Sequence, residues 1–187
     1  MKHIKNTQRV RLVAGGALLA AAAVGTVGVV SAGASSPAPA VRAAAAPGLH
    51  KGDTVESTHL DTAAAVKAAQ AALHAAEKGN QHVSVAVVDR DGNTLVTLRG
   101  DGAGPQSYAS AEKKAYTAVS WNAPTSELVE RLDQTPNLRD VPGTLFLAGG
   151  APLTAKGAPV AAIGVAGAPS GDLDETFAKA GVAALNG

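Results

Sequence analysis

The sequence has no cysteine, and its only methionine is Met1. Without thiols there is no disulfide framework and no cysteine nucleophile, so the fold must rest on its packed core. Thiols and thioethers are the side chains most readily oxidised. A form of the chain lacking Met1 contains no sulfur, which suits a protein that handles iron or peroxide outside the cell. Aromatic residues are scarce too, at 3% of the chain. The common catalytic signatures are also missing. There is no G-x-S-x-G elbow, no H-E-x-x-H and no G-x-x-x-x-G-K-[ST], and nothing points to a Ser-His-Asp triad. These absences argue against a conventional hydrolase or nucleotide enzyme.

What is present begins with an address. Lys2, His3, Lys5, Arg9 and Arg11 precede an uncharged run from Leu12 to Val30, and Ala32-Gly33-Ala34 follows as a small-residue cleavage pattern. The run is mostly Ala, Gly and Val, with few large side chains and no basic stop-transfer cluster after it. It therefore reads as an export signal over residues 1–34 rather than a membrane anchor. Those 34 residues hold four of the 16 Lys and Arg and none of the 15 acids, so their removal leaves a net charge of −3. A nucleic-acid partner, which requires a basic face, is not expected.

Residues 35–54, SSPAPAVRAAAAPGLHKGDT, have the composition of a flexible tether. The folded domain is expected over residues 55–187, a length sufficient for a two- or three-layer core. Apolar residues at Val66, Ala69, Ala72, Leu73 and Ala76 predict a helix from His59 to Lys78, with Lys67, Gln70, His74 and Lys78 on its opposite side. The stretch 83–99 reads as two strands around Asp91-Gly92, the first apolar on both faces and therefore central. Helices follow from Ser107, as a cap, to about Ser120, and from Pro124 to Asp133. Three strands are expected at 144–148, 151–155 and 159–167. A last helix is expected from Asp172, with Asp172 and Glu175 spaced as a capping box. The order α-β-β-α-α-β-β-β-α gives an α+β domain with a five-stranded, mostly antiparallel sheet and helices on both faces.

Haem or iron remains possible chemistry, and its ligands must come from His, Tyr, Lys or a weaker oxygen donor. Beyond the signal the histidines are His50, His59, His74 and His82. His59 and His82 bracket the first helix and are candidate metal ligands. Tyr108, Glu112, Lys113 and Tyr116 share the second helix, and Glu112 and Tyr116 stand at i, i+4. Arg99-Gly100-Asp101, which spells an adhesion tripeptide, lies where the second strand gives way to this helix.

The hairpin VSVAVVDRDGNTL, the loop RGDGAGPQSYASAEKKAYTA, the segment VPGTLFLAGGAPL and the ending AAIGVAGAPSGDLDETFAKAGVAAL together resemble the GlcG/HbpS family of haem-binding proteins. The resemblance covers about residues 57–187. It implies a profilin-like sheet, homo-oligomers, and, for the secreted branch, haem binding and degradation, iron storage and modulation of a membrane sensor kinase of a two-component system. It also places a haem-ligating hydroxyl at Thr144 and surface iron contacts at His59, His82 and Glu112. The acidic partner that the family pattern pairs with Glu112 falls at Ala109, which cannot ligate, and Ala166 stands where a late turn often carries Ser. The family pattern of Arg99, Asp101, Gly102 and Ala103 makes the tripeptide a strand-to-helix connection. A non-haem small-molecule module is the alternative, since Ala and Val walls suit either ligand.

Overall fold

The structure is a computed structural model that describes residues 48–186. The expected export signal and most of the expected tether lie outside the described residues. The first helix, α1, runs over Thr62–Lys78 and buries Ala65, Ala68, Ala69, Ala72 and Ala76. It begins three residues later than the periodicity alone suggests. Asp61 has extended backbone angles and accepts the Ala64 amide at 3.1 Å, which fixes the first turn there.

Strands β1 (Ser84–Asp89) and β2 (Thr94–Arg99) pair antiparallel. The Asp89 carboxylate closes their turn by accepting the amides of Asp91 and Asn93 at 2.9 and 2.8 Å. Every residue of β1 is buried, as its unbroken apolar pattern requires. Helix α2 spans Ser107–Trp121. Ser107 does not cap it from outside but sits in its first turn. Its hydroxyl donates to the Gly104 carbonyl at 2.6 Å and lies 2.8 Å from the buried Ser84 hydroxyl.

Helix α3 covers Thr125–Glu130, and the rest of the expected third helix tightens into a 3-10 turn at Arg131–Asp133. A second 3-10 turn occupies Pro136–Asp140. Strands β3 (Gly150–Ala155) and β4 (Ala158–Ala166) then form a hairpin through Lys156 and Gly157, both at positive φ. Helix α4 (Gly171–Ala183) is capped by the Ser170 hydroxyl, which accepts the Leu173 amide. The expected capping role of Asp172 is thus taken by Ser170, and the first-turn acids are free for other work.

The sheet has four strands in the order β2-β1-β4-β3, all antiparallel. The expected five-stranded sheet is corrected: residues 144–148 form no strand. The Leu145 amide is bonded by the Thr117 hydroxyl at 2.8 Å, and Phe146 is buried with Leu128 and Ala123 in a small side core. An apolar run that looks like a strand is here a loop filling a hydrophobic gap.

Helices α1 and α4 cover one face, against Val85, Val87, Ile163 and Val165. Helix α2 covers the other, against Ala86, Val88 and Ala162. Contact on the α2 face is at backbone level. A Cβ at Gly164 would collide with the Ala111 carbonyl and come within 2.5 Å of the Ala115 amide, so only glycine lets helix and strand approach this closely.

Candidate functional site

Thr144 follows a turn at Pro142-Gly143 and is half-buried. Its hydroxyl donates to the Val141 carbonyl at 2.7 Å, which leaves the oxygen lone pairs open. Two large apolar side chains stand exposed on either side of it in sequence, Val141 (40% exposed) and Leu147 (55%). Behind the turn lies the ring of Tyr116. A Cβ at Gly143 would meet that ring at 3.5 Å and one at Gly92 at 2.9 Å, so Tyr116 is held between the Thr144 turn and the β1–β2 hairpin. Thr144 therefore sits at the hairpin end of the sheet.

His59 is at the same end. Its Nδ1 lies 3.5 Å from an Asp91 oxygen, and its Nε2 lies 2.6 Å from the Ser57 hydroxyl. His59, Asp89 and Asp91 each offer a ligand atom within 4.8 Å of the others. Burial alone raises the Asp89 carboxyl, but the Asn93 and Asp91 donors, with His59 adding a smaller electrostatic effect, outweigh it and hold the group below the usual aspartate value.

His82 and Glu112 are elsewhere. His82 precedes β1, at the opposite end of a strand of six residues, so on the order of 20 Å separates it from the hairpin tip. Its Nδ1 lies 2.6 Å from the Asp101 carbonyl oxygen, under the loop that carries Gly102. Glu112 accepts the Thr97 hydroxyl at 3.2 Å, over the middle of β2. One protomer therefore does not gather His59, His82 and Glu112 around a single ion. The Arg99-Gly100-Asp101 stretch is folded into the same connection: the Arg99 guanidinium donates to the Ala103 carbonyl at 2.7 Å, and the Gly100 amide to Val83.

The most deeply buried charges were not apparent as site residues. Lys114, 4% exposed, donates to Asp174 at 2.7 Å and to the Val165 carbonyl at 3.1 Å. Asp174 also accepts the Ala168 amide at 3.0 Å. Burial raises the Asp174 carboxyl above its usual value, and the lowering effect of Lys114 only partly offsets this. Next to it, Glu175 accepts the Ser126 hydroxyl at 2.7 Å, the Ser126 amide at 2.9 Å and Lys179 at 2.8 Å. Burial would raise Glu175, but these donors prevail and lower it. The pair Lys114–Asp174 lies at the wall of an open cavity of about 580 Å³, whose apolar lining includes Val129, Leu147 and Pro169. A sequence signal for Lys114 existed: it shares the Ala111, Ala115 and Ala118 face of α2, the side turned to the sheet.

A family model described as haem degrading protein HbpS-like matches residues 60–183, and the chain belongs to this HbpS-like family. A crystal structure of a double Glu-to-Asp mutant of HbpS from Streptomyces reticuli is 72% identical. It covers 77% of this chain and 99% of that one, with a TM-score of 0.75. A crystal structure of HbpS is 73% identical over 74% of this chain and 99% of that one, with a TM-score of 0.74. A crystal structure of a PduOC:heme complex is 27% identical over 69% of this chain and 96% of that one, with a TM-score of 0.63. No curated protein matches the chain.

Proposed function

We propose that this chain is a secreted haem-binding protein that degrades haem or sequesters iron, acts as a homo-oligomer, and modulates a membrane sensor kinase of a two-component system. The observation that carries the haem reading is the Thr144 turn: an oxygen donor with open lone pairs, backed by Tyr116 and flanked by the exposed apolar side chains of Val141 and Leu147. Such a surface fits an apolar macrocycle with one oxygen contact to its iron. Membership of the HbpS-like family and the likeness to a haem complex support the same reading. Haem, when bound, would supply a redox-active iron. The chain's own part is to position it with Thr144 and to keep oxidisable sulfur away from it, there being no Cys and no Met after Met1.

Export rests on the N-terminal sequence, with residues 1–34 as the signal, 35–54 as the tether and 55–187 as the binding domain. The profilin-like description of the sheet and the kinase partner rest on the family resemblance. Surface iron contacts at His59, His82 and Glu112 belong to this proposal as three separate positions of one chain. Titration with haemin tests the central point. The expected result is a shifted Soret band at micromolar haemin in the parent protein and an altered spectrum in Thr144→Ala. No Soret shift in the parent removes the haem role, and an unchanged Thr144→Ala spectrum removes the ligand.

The cavity beside Lys114 favours a second reading, a non-haem small-molecule module. Its volume of about 580 Å³ and mixed lining suit a small organic ligand. A thermal shift with small organic acids and none with haemin would select this reading.

A further inference from the structure

We propose that the cavity beside Lys114 holds a small zwitterion, an α-amino acid with an apolar side chain; this rests on the second reading above, in which the cavity is a small-molecule site. Burial divides its wall into a floor and a rim. Lys114 and Asp174 are buried at the floor, 4% and 3% exposed, whereas Glu130, Leu147, Pro169 and Asp172 stand exposed at the rim. The floor is short of acceptors. An ammonium carries three donors, and Lys114 finds two partners, Asp174 at 2.7 Å and the Val165 carbonyl at 3.1 Å. Asp174 is itself engaged through both oxygens, Oδ2 by Lys114 and Oδ1 by the Ala168 amide. The start of α4 adds two more donors. The Leu173 and Asp174 amides are taken by the Ser170 hydroxyl and carbonyl, but the Gly171 and Asp172 amides, first in the helix, find no acceptor among the described residues. A spare ammonium hydrogen beside two open helix amides suits a carboxylate.

The rim calls for the opposite charge. Glu130 and Asp172 are both exposed, and among the described residues neither forms an ion pair. Among the lining residues Lys114 is the one cation, and Asp174 already matches it, so Glu130 and Asp172 remain as excess negative charge. A bare carboxylate meets that excess on its way to the floor. A molecule that carries its own ammonium offsets it, with the carboxylate inward and the ammonium towards the rim acids. Val129, Leu147 and Pro169 supply apolar wall for a side chain. The volume of about 580 Å³ lies within the range of small-ligand pockets.

The test is calorimetry on the full chain, free of haem, with L-leucine and its two part-molecules as probes. These are 4-methylpentanoate, which lacks the amine, and 3-methylbutylamine, which lacks the carboxylate. Expected is binding of L-leucine, with each part-molecule at least about tenfold weaker. Glu130→Gln and Asp172→Asn should each weaken L-leucine by about threefold or more without weakening 4-methylpentanoate. Glu127→Gln, an exposed acid of α3 that does not line the cavity, should leave both unchanged. Both rim acids are exposed, so unchanged melting curves are expected to show that the variants remain folded. At the floor, the Gly171 and Asp172 amide resonances should shift when L-leucine is added. The proposal is overturned if L-leucine does not bind, if 4-methylpentanoate binds as tightly, or if Glu130→Gln and Asp172→Asn bind L-leucine as the parent does. Binding of 4-methylpentanoate with equal strength removes the zwitterion and keeps the small-molecule reading, whereas no binding of any small organic acid removes both.

Discussion

Lys114 is a cation buried between the sheet and two helices. Its ammonium donates to Asp174 and to the Val165 carbonyl, which ties the centre of α2 to the start of α4 and the end of β4. Removing one partner of a buried pair costs more than the pair contributes, because the other charge is stranded. Lys114→Met should therefore destabilise the domain by about 3 to 5 kcal/mol, measured by urea unfolding at pH 7. The sign of its pH dependence follows from Asp174. That carboxyl already lies above its usual value, and losing the lysine raises it further. As pH falls the folded variant takes up a proton before the unfolded chain does, so its deficit should shrink towards pH 5. A deficit that stays constant with pH would refute the electrostatic account.

Elements are joined by a second carboxylate. Glu175 of α4 accepts both donors of Ser126 in α3, and Lys179 one turn later covers it. Its carboxyl is held below the usual glutamate value, so its contribution is complete above that value and is lost as pH falls through the lower folded value. Glu175→Gln should cost about 1 to 3 kcal/mol at pH 7 and should flatten the loss of stability on acidification, read from melting midpoints along a pH series. Asp174 works in the opposite sense in both proteins and does not alter the comparison.

The elements themselves were largely legible. The β-branched run of β1 and the Asp91-Gly92 turn each follow from a local pattern and are present; on α1 the expected Ala69, Ala72 and Ala76 are buried, but Ala65 and Ala68 join them while Val66 and Leu73 are only partly buried. The segment 144–148 differs from its expected strand because a short apolar run is shared by strands and by gap-filling loops; what decides it is Thr117, a residue 28 positions away whose hydroxyl accepts the Leu145 amide. Asp174 and Glu175 were hidden for a similar reason. First-turn acids usually face water near a helix N-terminus, and only the tertiary positions of Lys114 and Ser126 turn these two inwards. The cluster at the hairpin needed the fold as well, since His59 reaches Asp91 from before α1.

At the scale of the molecule, residues 49–187 form one compact unit. Residues 48–59 are exposed, and among the described residues the first fully buried side chain is Ala65. A chain beginning at Val55 should therefore melt within about 2 °C of the full-length protein, by circular dichroism. A larger fall would mean that the preceding residues contribute to the fold.

Trp121 is the chain's single tryptophan, and it meets Phe146 edge-on with ring centroids 5.3 Å apart. Phe146 lies two residues beyond Thr144 on the same loop. The protein thus contains its own optical gauge: one indole, with no second tryptophan to blur its emission, seated against the segment proposed to receive a strongly absorbing pigment. Quenching of that emission would report arrival of the pigment at this loop without any attached dye, and a shift in its colour would report movement of the loop alone.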